Sequence, residues 1–484
     1  MSAVDWAPVT FQRRPSTNPG QARPPSGLSA EVFAIPLDGD QTLIYAPLRR
    51  AAFVTNPAGV RALAQLDRDG VDGAKNVGVE LVEFLRAIEI IDGGAEHPPD
   101  DVFSGDPTPT AVTLFLTTAC NLRCHYCYAS AGDTPIERMS LATATDGIDF
   151  VLANAVKLGQ SRIDVNYHGG GEPTLNWSVL TESLVYARRR AAGHGVMVRA
   201  GLATNGVLRP EQVEWVVANI DGASVSFDGL PAVHDMHRPT VSGKPSSGSV
   251  MRTLDRFEEA GLPFSLRITV TADQISCLPD SIDFLTHKYS PRRIQVEPAY
   301  QLGRWSDAPT AETAEFIDAY RAAQERARAQ GQEISYSAAR LGLLTSHFCG
   351  VTRDLFALTP TGRVSSCYET FSEGSPQAAT FMYGRSAGEG QGYEFDMPAL
   401  VRLRQHARGY HDFCSGCFAK FSCSGDCYHK ALSASGDGAF QGSERCHITR
   451  ELTKDQILDA IAGSGGLVWH GGSDRIEEDH VRTS

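Results

Sequence analysis

Ten of the eleven cysteines of this chain fall in two stretches, and those stretches dictate what the fold must bring together. The first stretch is "TTACNLRCHYCYAS", Thr117 to Ser130, where Cys120, Cys124 and Cys127 are spaced C-x3-C-x2-C. The second runs from Cys349 to Cys446 and also holds Cys367, Cys414, Cys417, Cys423 and Cys427. Cys277, in "ISCLPDS", stands alone and reads as a small buried hydrophobe. Three thiols so close together leave one unpaired in any disulfide scheme. A structural zinc ion normally takes four ligands. No apolar run approaches the roughly 20 residues that span a bilayer. The N-terminus, "MSAVDWAPVTFQRRPSTNPG", lacks a signal-peptide core. The expectation is a soluble, cytoplasmic protein with no membrane partner. In that reducing compartment, clustered cysteines bind metal or do chemistry rather than form disulfides. The formal net charge of −13 argues against a nucleic-acid partner, which calls for a basic face.

The chain divides by composition. Residues 1–30, with "RRPSTNPGQARPPSG", read as a flexible arm. In 31–95, "EVFAIPL" and "QTLIYAPL" flank "DGD", a hairpin signal. "NPAGVRALAQLDRDG" and "GVELVEFLRAIEII" then show helical periodicity, giving a small α+β module. From 111 to 300 strands and helices alternate. Candidate strands are "VTLFLT", "RIDVNYH", "VRAGLAT", "GASVSFD", "FSLRITV" and "RIQVEP", with amphipathic stretches such as "VLTESLVYARRRAAGHG" and "PEQVEWVVANI" between them. Six β-α units in series predict an α/β fold with a parallel sheet, curved or doubly wound. Residues 301–345 read as a helical bridge, 346–450 as the second cysteine domain and 451–484 as a tail.

The unusual residues lie where such strands end. The cysteine triplet follows the first strand and "GGGEP", Gly169 to Pro173, the second. "TNG", Thr204 to Gly206, follows the third, "SFDG", Ser226 to Gly229, ends the fourth, and Glu297-Pro298 ends the sixth. In parallel α/β architectures, ligand sites collect at the carboxyl ends of strands. Three thiolates can hold a four-iron cluster by three irons and leave the fourth open to an exchangeable ligand. The alternative is zinc completed by His125 or His168.

"CNLRCHYC", with Tyr126 before its last cysteine, followed by "GGGEP", resembles the radical SAM superfamily over about residues 111 to 300. The resemblance implies a partial (β/α)6 barrel holding a [4Fe-4S] cluster that binds S-adenosylmethionine. By that likeness Gly170, Gly171 and Glu172 match the stretch that receives the methionine amino group. Asn205, Ser226 and Asp228 match polar strand ends near the ribose and methionine. Arg238, in "HDMHRP", is expected to pair with the carboxylate, which suits a guanidinium fork. Asn205 and Asp228 each precede a glycine and also read as turn residues.

The second cysteine group resembles the SPASM domain, whose seven-position pattern is present in order. That likeness implies two auxiliary [4Fe-4S] clusters, so three in all. Cys414, Cys417, Cys423 and Cys446 complete one. Cys349, Cys367 and Cys427 serve the other, which is a ligand short, with His347 as a candidate. Two structural zinc sites are the alternative. The 31–95 module loosely resembles PqqD-like elements, which bind a leader peptide as an added strand.

Together these resemblances imply an oxidative enzyme. It would form a 5′-deoxyadenosyl radical, abstract hydrogen from an unactivated C–H bond and cross-link side chains of a ribosomally made precursor peptide. An electron donor such as ferredoxin or flavodoxin would supply the reductant. The runner-up within enzymes is a sulfatase-type maturase forming formylglycine. The reading from another class is a non-catalytic iron–sulfur scaffold, against which the intact strand-end motifs speak. The sequence names no catalytic base.

Overall fold

The computed structural model describes residues 9–10, 27–73, 76–101, 103–307, 310–406, 412–435 and 442–471. Most of the arm expected at 1–30, and the tail beyond residue 471, lie outside the described residues. Two units emerge, and neither follows chain order. One gathers residues 1–101, 338–348 and 408–484; the other gathers 102–337 and 349–407. The segment expected as one cysteine domain is therefore divided between them.

In the first unit, the strand pattern of "FAIP" and "TLIYA" gives β2 (Phe33–Pro36) and β3 (Thr42–Ala46), antiparallel as the "DGD" turn requires. The sheet is wider than the sequence indicated. β1 (Val9–Thr10) pairs with β2, β4 (Ala51–Thr55) pairs with β3, and a strand at Val468–His470 closes the far edge against β4. One face packs on the helices Pro57–Gly73 and Val79–Ala87 through Ile44, Phe53, Leu63, Leu66 and Leu85. Phe33, Ile35, Leu43 and Tyr45 take the other face and meet Phe418, Ile457 and Ile461. The alternation of "FAI" and "LIY" thus feeds two cores rather than a core and solvent.

The second unit is built on parallel strands in chain order: β5 (Ala111–Phe115), β6 (Arg162–His168), β7 (Met197–Thr204), β8 (Gly222–Ser226), β9 (Phe264–Val270), β10 (Ile294–Pro298) and β11 (Ile334–Ser335). Each neighbouring pair is parallel. Helices connect them, among them Leu141–Lys157, Trp177–Ala192, Pro210–Asn219, Ser247–Ala260 and Leu278–Lys288. This is the expected parallel α/β sheet with helical crossovers, with one strand more than expected at β11.

The other edge of β5 is also extended. β12 (Ala357–Leu358) runs parallel to it, followed by antiparallel β13 (Arg363–Ser365), β14 (Met382–Ser386) and β15 (Tyr393–Phe395). This addition carries Cys367, just after β13, to the same unit as the cysteine triplet.

Candidate functional site

The triplet loop leaves β5 and is held from several directions. Backbone N–H of Gly171 donates to Thr117 O at 3.1 Å, and that of Glu172 donates to Ala119 O at 2.8 Å. The "GGGEP" stretch therefore runs directly against the residues that lead into Cys120. No side chain fits there. A Cβ at Gly171 would stand 2.0 Å from Ala119 O, and one at Gly170 would stand 2.0 Å from the Phe371 ring. Close approach, not a left-handed φ, explains these glycines.

Glu172 is spent on the protein itself. Its Oε1 accepts from Thr174 N at 3.2 Å, Thr174 Oγ1 at 2.8 Å and Thr204 Oγ1 at 2.9 Å. Its Oε2 accepts from Asn205 N at 2.8 Å. Burial raises the carboxyl's pKa, against these hydrogen bonds, which favour the charge. Glu172 thus brackets the ends of β6 and β7.

Asn205 carries the bracket on to the triplet. Its Nδ2 donates to Asn121 Oδ1 at 2.7 Å and lies 3.7 Å from Cys120 Sγ. Asn121 Nδ2 in turn donates to Val207 O at 3.0 Å. The Leu122 N–H points at Cys120 Sγ from 3.4 Å. Burial pushes the Cys120 thiol up to about 12 and the Cys124 thiol up to about 11. Buried thiols of this kind stay neutral alone; a metal centre supplies the charge that makes them thiolates. A cluster bound at three irons fits this donor set. Among the described residues, no three His, Cys, Asp or Glu side chains converge as ligands of one ion. Of the histidines considered for zinc, His125 packs edge-on to His237 at 5.6 Å, and His168 stacks on Tyr368 at 5.0 Å.

On the other side of the triplet, Tyr126, Asp228 and Arg238 form one buried cluster. Arg238 Nε and Nη2 donate to the two Asp228 oxygens at 2.7 and 3.1 Å, and the Tyr126 hydroxyl also donates to Asp228. The guanidinium lies 5.0 Å from the centre of the Tyr126 ring, a cation–π contact. Burial works against the Asp228 charge, but Arg238 overcomes it and holds the carboxyl below its usual range. The Arg238 fork, expected at a ligand carboxylate, is held here by Asp228, two residues past the end of β8. Ser226, two residues earlier, ends β8 half-buried and pairs in register with Arg267 of β9.

Sequence reasoning missed Gly303 and Arg304. Arg304 donates to Cys124 O at 2.6 Å and Ala131 O at 3.0 Å, and pairs with Asp133 at 2.8 Å. It clamps the triplet loop from a point far along the chain, and no local motif announces it. His237 was also missed. It stacks on Tyr126 at 6.1 Å and pairs with Asp273 at 3.2 Å.

In the other unit, Cys414, Cys417, Cys423 and Cys446 line one pocket with Phe413, Lys420, Asp426 and Arg450. These are the four cysteines expected to share an auxiliary cluster. Buried Arg445 donates to Asp426, stiffening the pocket wall. Burial raises the pKa values of Cys417, Cys423 and Cys446 as in the triplet. Cys427 and His347 belong to this unit, whereas Cys349 and Cys367 belong to the unit with the parallel sheet, both in electrostatic reach of Tyr368.

Residues 114–285 match the Radical SAM superfamily. Similar proteins include the Fe-coproporphyrin III synthase of Methanosarcina barkeri, 28% identical over 39% of this chain and 44% of that one. The serine-type anaerobic sulfatase-maturating enzyme of Klebsiella aerogenes is 29% identical over 38% and 45%. The pre-heme d1 synthase of Dinoroseobacter shibae is 22% identical over 74% and 91%. The chain spans about half the length of the first two of these. Among solved structures, native anSMEcpe with bound AdoMet superposes with a TM-score of 0.60 at 16% identity, over 74% of this chain and 100% of that one. The same protein with AdoMet and the Cp18Cys peptide gives 0.59 at 17% identity, over 73% and 98%. These likenesses show the fold.

Proposed function

Residues 114–285 belong to the radical SAM superfamily, and we propose that the whole chain is a SPASM-type enzyme that oxidatively cross-links side chains of a ribosomally made peptide. One observation carries the reading: a single hydrogen-bonded set, Glu172–Asn205–Asn121, ties the ends of β6 and β7 to Cys120. A non-catalytic iron–sulfur scaffold has no use for that bracket or for the side-chain-free glycine stretch. A [4Fe-4S] cluster on Cys120, Cys124 and Cys127, with S-adenosylmethionine, would supply a 5′-deoxyadenosyl radical able to abstract hydrogen from an unactivated C–H bond.

The chain's own residues would position and insulate that chemistry. Gly170 and Gly171 let their stretch lie flat against Phe371 and Ala119, which fixes its backbone groups beside the triplet. Asn205 and Asp228 present polar groups at neighbouring strand ends. Arg238 neutralises Asp228. Phe115, Phe371, Tyr128 and Tyr368 pack around Cys120 and Cys127 and exclude water. The second cysteine group would hold two auxiliary clusters, one in the pocket of Cys414, Cys417, Cys423 and Cys446, and these would accept the electron left on the product.

The peptide substrate is supported by the solved neighbour whose structure contains AdoMet and a peptide. The sulfatase-maturase relative favours formylglycine formation as a second reading. Anaerobic reaction with dithionite, S-adenosylmethionine and the candidate precursor separates them. Cross-linking yields a peptide two hydrogens lighter with no aldehyde; maturase chemistry yields a product that an aldehyde reagent traps. Absence of 5′-deoxyadenosine in every reaction sinks both.

A leader partner would add a strand to the N-terminal sheet. Val468–His470 already pairs with β4, so a leader adding at that edge would displace this strand. Hydrogen exchange of residues 51–55 with and without leader tests this; unchanged exchange rejects that docking site.

A further inference from the structure

One arginine on the parallel sheet lacks the partner its neighbours have. In β9, Phe264, Leu266, Ile268 and Val270 are buried while Arg267 is exposed. The Phe264 ring meets Phe257 and Tyr289 at 6.4 and 6.3 Å, so the buried positions face the helices and Arg267 faces the opposite side. In register beside it stand Ser226 of β8 and Gln295 of β10, both uncharged. Arg238 has Asp228 and Arg304 has Asp133, yet the Arg267 guanidinium has no hydrogen bond or ion pair among the described residues. In a chain of net charge −13, an unpaired cation on this face of the sheet calls for an explanation.

His168 shares that face. Its neighbour Tyr167 reaches back to Ser183 on the helix Trp177–Ala192, which sends His168 the other way. The imidazole stacks on Tyr368 at an interplanar angle of 12° and is edge-on to Phe115. Its Nδ1 is buried without a hydrogen-bond partner. Burial first, and the Arg267 charge second, hold this ring neutral with a pKa pushed down to about 4. A neutral imidazole protonated on Nδ1 is a donor, as is every N–H of the guanidinium.

We propose that Arg267, with the Nδ1–H of His168 on the same face, receives a carboxylate of the peptide substrate and so selects which position is presented for reaction. The inference rests on the peptide-modifying reading. A guanidinium fork matches a carboxylate bidentately. The carboxylate belongs to an acidic side chain or to a chain terminus; both offer the same two oxygens.

The test uses reconstituted full-length protein under anaerobic conditions with a pool of synthetic hexapeptides. They share one sequence, carry Glu, Gln or Lys at the centre, and end in a free or amidated C-terminus. Retained peptides are quantified by mass spectrometry after rapid filtration. Expected is about ten-fold preference for the acid over its amide partner, the low end for a hydrogen bond to a charged group. Preference of Glu over Gln assigns the side chain, and preference of free over amidated ends assigns the terminus. Arg267→Gln should erase the preference, and Arg267→Lys should keep a weaker one. Equal retention of acid and amide, retention of no peptide, or a preference that survives Arg267→Gln overturns the proposal. So does a ten-fold loss of S-adenosylmethionine affinity in Arg267→Gln with peptide preference intact, which would make the cofactor the source of the carboxylate. Wild-type 5′-deoxyadenosine, measured in the same samples, separates the two claims. Its absence removes the function on which the inference rests; its presence without acid preference removes only the carboxylate site.

Discussion

Replacing Arg238 by Ala should unfold the parallel-sheet unit earlier by a predictable amount. Arg238 and Asp228 are only 6% and 2% exposed, so the variant buries a carboxylate that has lost its cation. Breaking a buried pair from one side costs about 3–5 kcal/mol. Asp228 keeps the Thr269 N–H at 3.1 Å and the Tyr126 hydroxyl, which places the loss at the low end, about 3 kcal/mol. At roughly 2–4 °C per kcal/mol for a unit of this size, the melting point drops by about 6–12 °C. The sign of the pH dependence follows from the lowered Asp228 pKa. A carboxyl held below its unfolded value stabilises fully above about pH 4 and loses that contribution as pH falls through the folded value. The gap between wild type and Arg238→Ala should therefore narrow on acidification. Calorimetry of the anaerobically purified protein at several pH values measures both quantities. The double variant Asp228→Leu with Arg238→Met, which removes both charges, should recover most of the loss. An Arg238→Ala protein melting within about 1 °C of wild type, or a gap that widens in acid, would refute the reasoning.

Three further outcomes are expected. Gly303→Ala sets a Cβ 2.3 Å from Tyr128 O at a φ of +57°, so it should displace Arg304 from the triplet loop; iron analysis after reconstitution should show less iron bound per chain. His168 has a folded pKa of about 4 against about 6.5 unfolded, so the unfolded chain binds the extra proton between those values and stability falls as pH drops through that window; His168→Phe should flatten the dependence by roughly 3 kcal/mol, read from denaturant midpoints. Cys417→Ala removes one of four cysteines lining a single pocket and should lower reconstituted iron from about twelve to about eight per chain while the triplet's share remains.

The parallel strands were legible because each carries a run of β-branched or alternating residues closed by a turn, and the triplet, glycine and "TNG" motifs sit at those turns. Two- and three-residue strands such as Ala357–Leu358 and Val468–His470 have no period to read. Their place is set by partners far away in sequence, β5 and β4. Arg238 was visible as a residue seeking a carboxylate, but only the fold says that Asp228 arrives first. Arg304 and Arg267 carried no local signal. One is defined by loop carbonyls brought to it, the other by having no hydrogen bond or ion pair among the described residues at a strand position that reads as an ordinary surface charge.

Production of 5′-deoxyadenosine tests the central claim most directly. Reconstituted protein, dithionite and S-adenosylmethionine, mixed anaerobically, should release 5′-deoxyadenosine and methionine in equal amounts. The variant with Cys120, Cys124 and Cys127 all replaced by Ala should release neither and should bind about four fewer irons per chain. A triple variant that still cleaves S-adenosylmethionine, or a wild type that holds its iron and never does, would contradict the account.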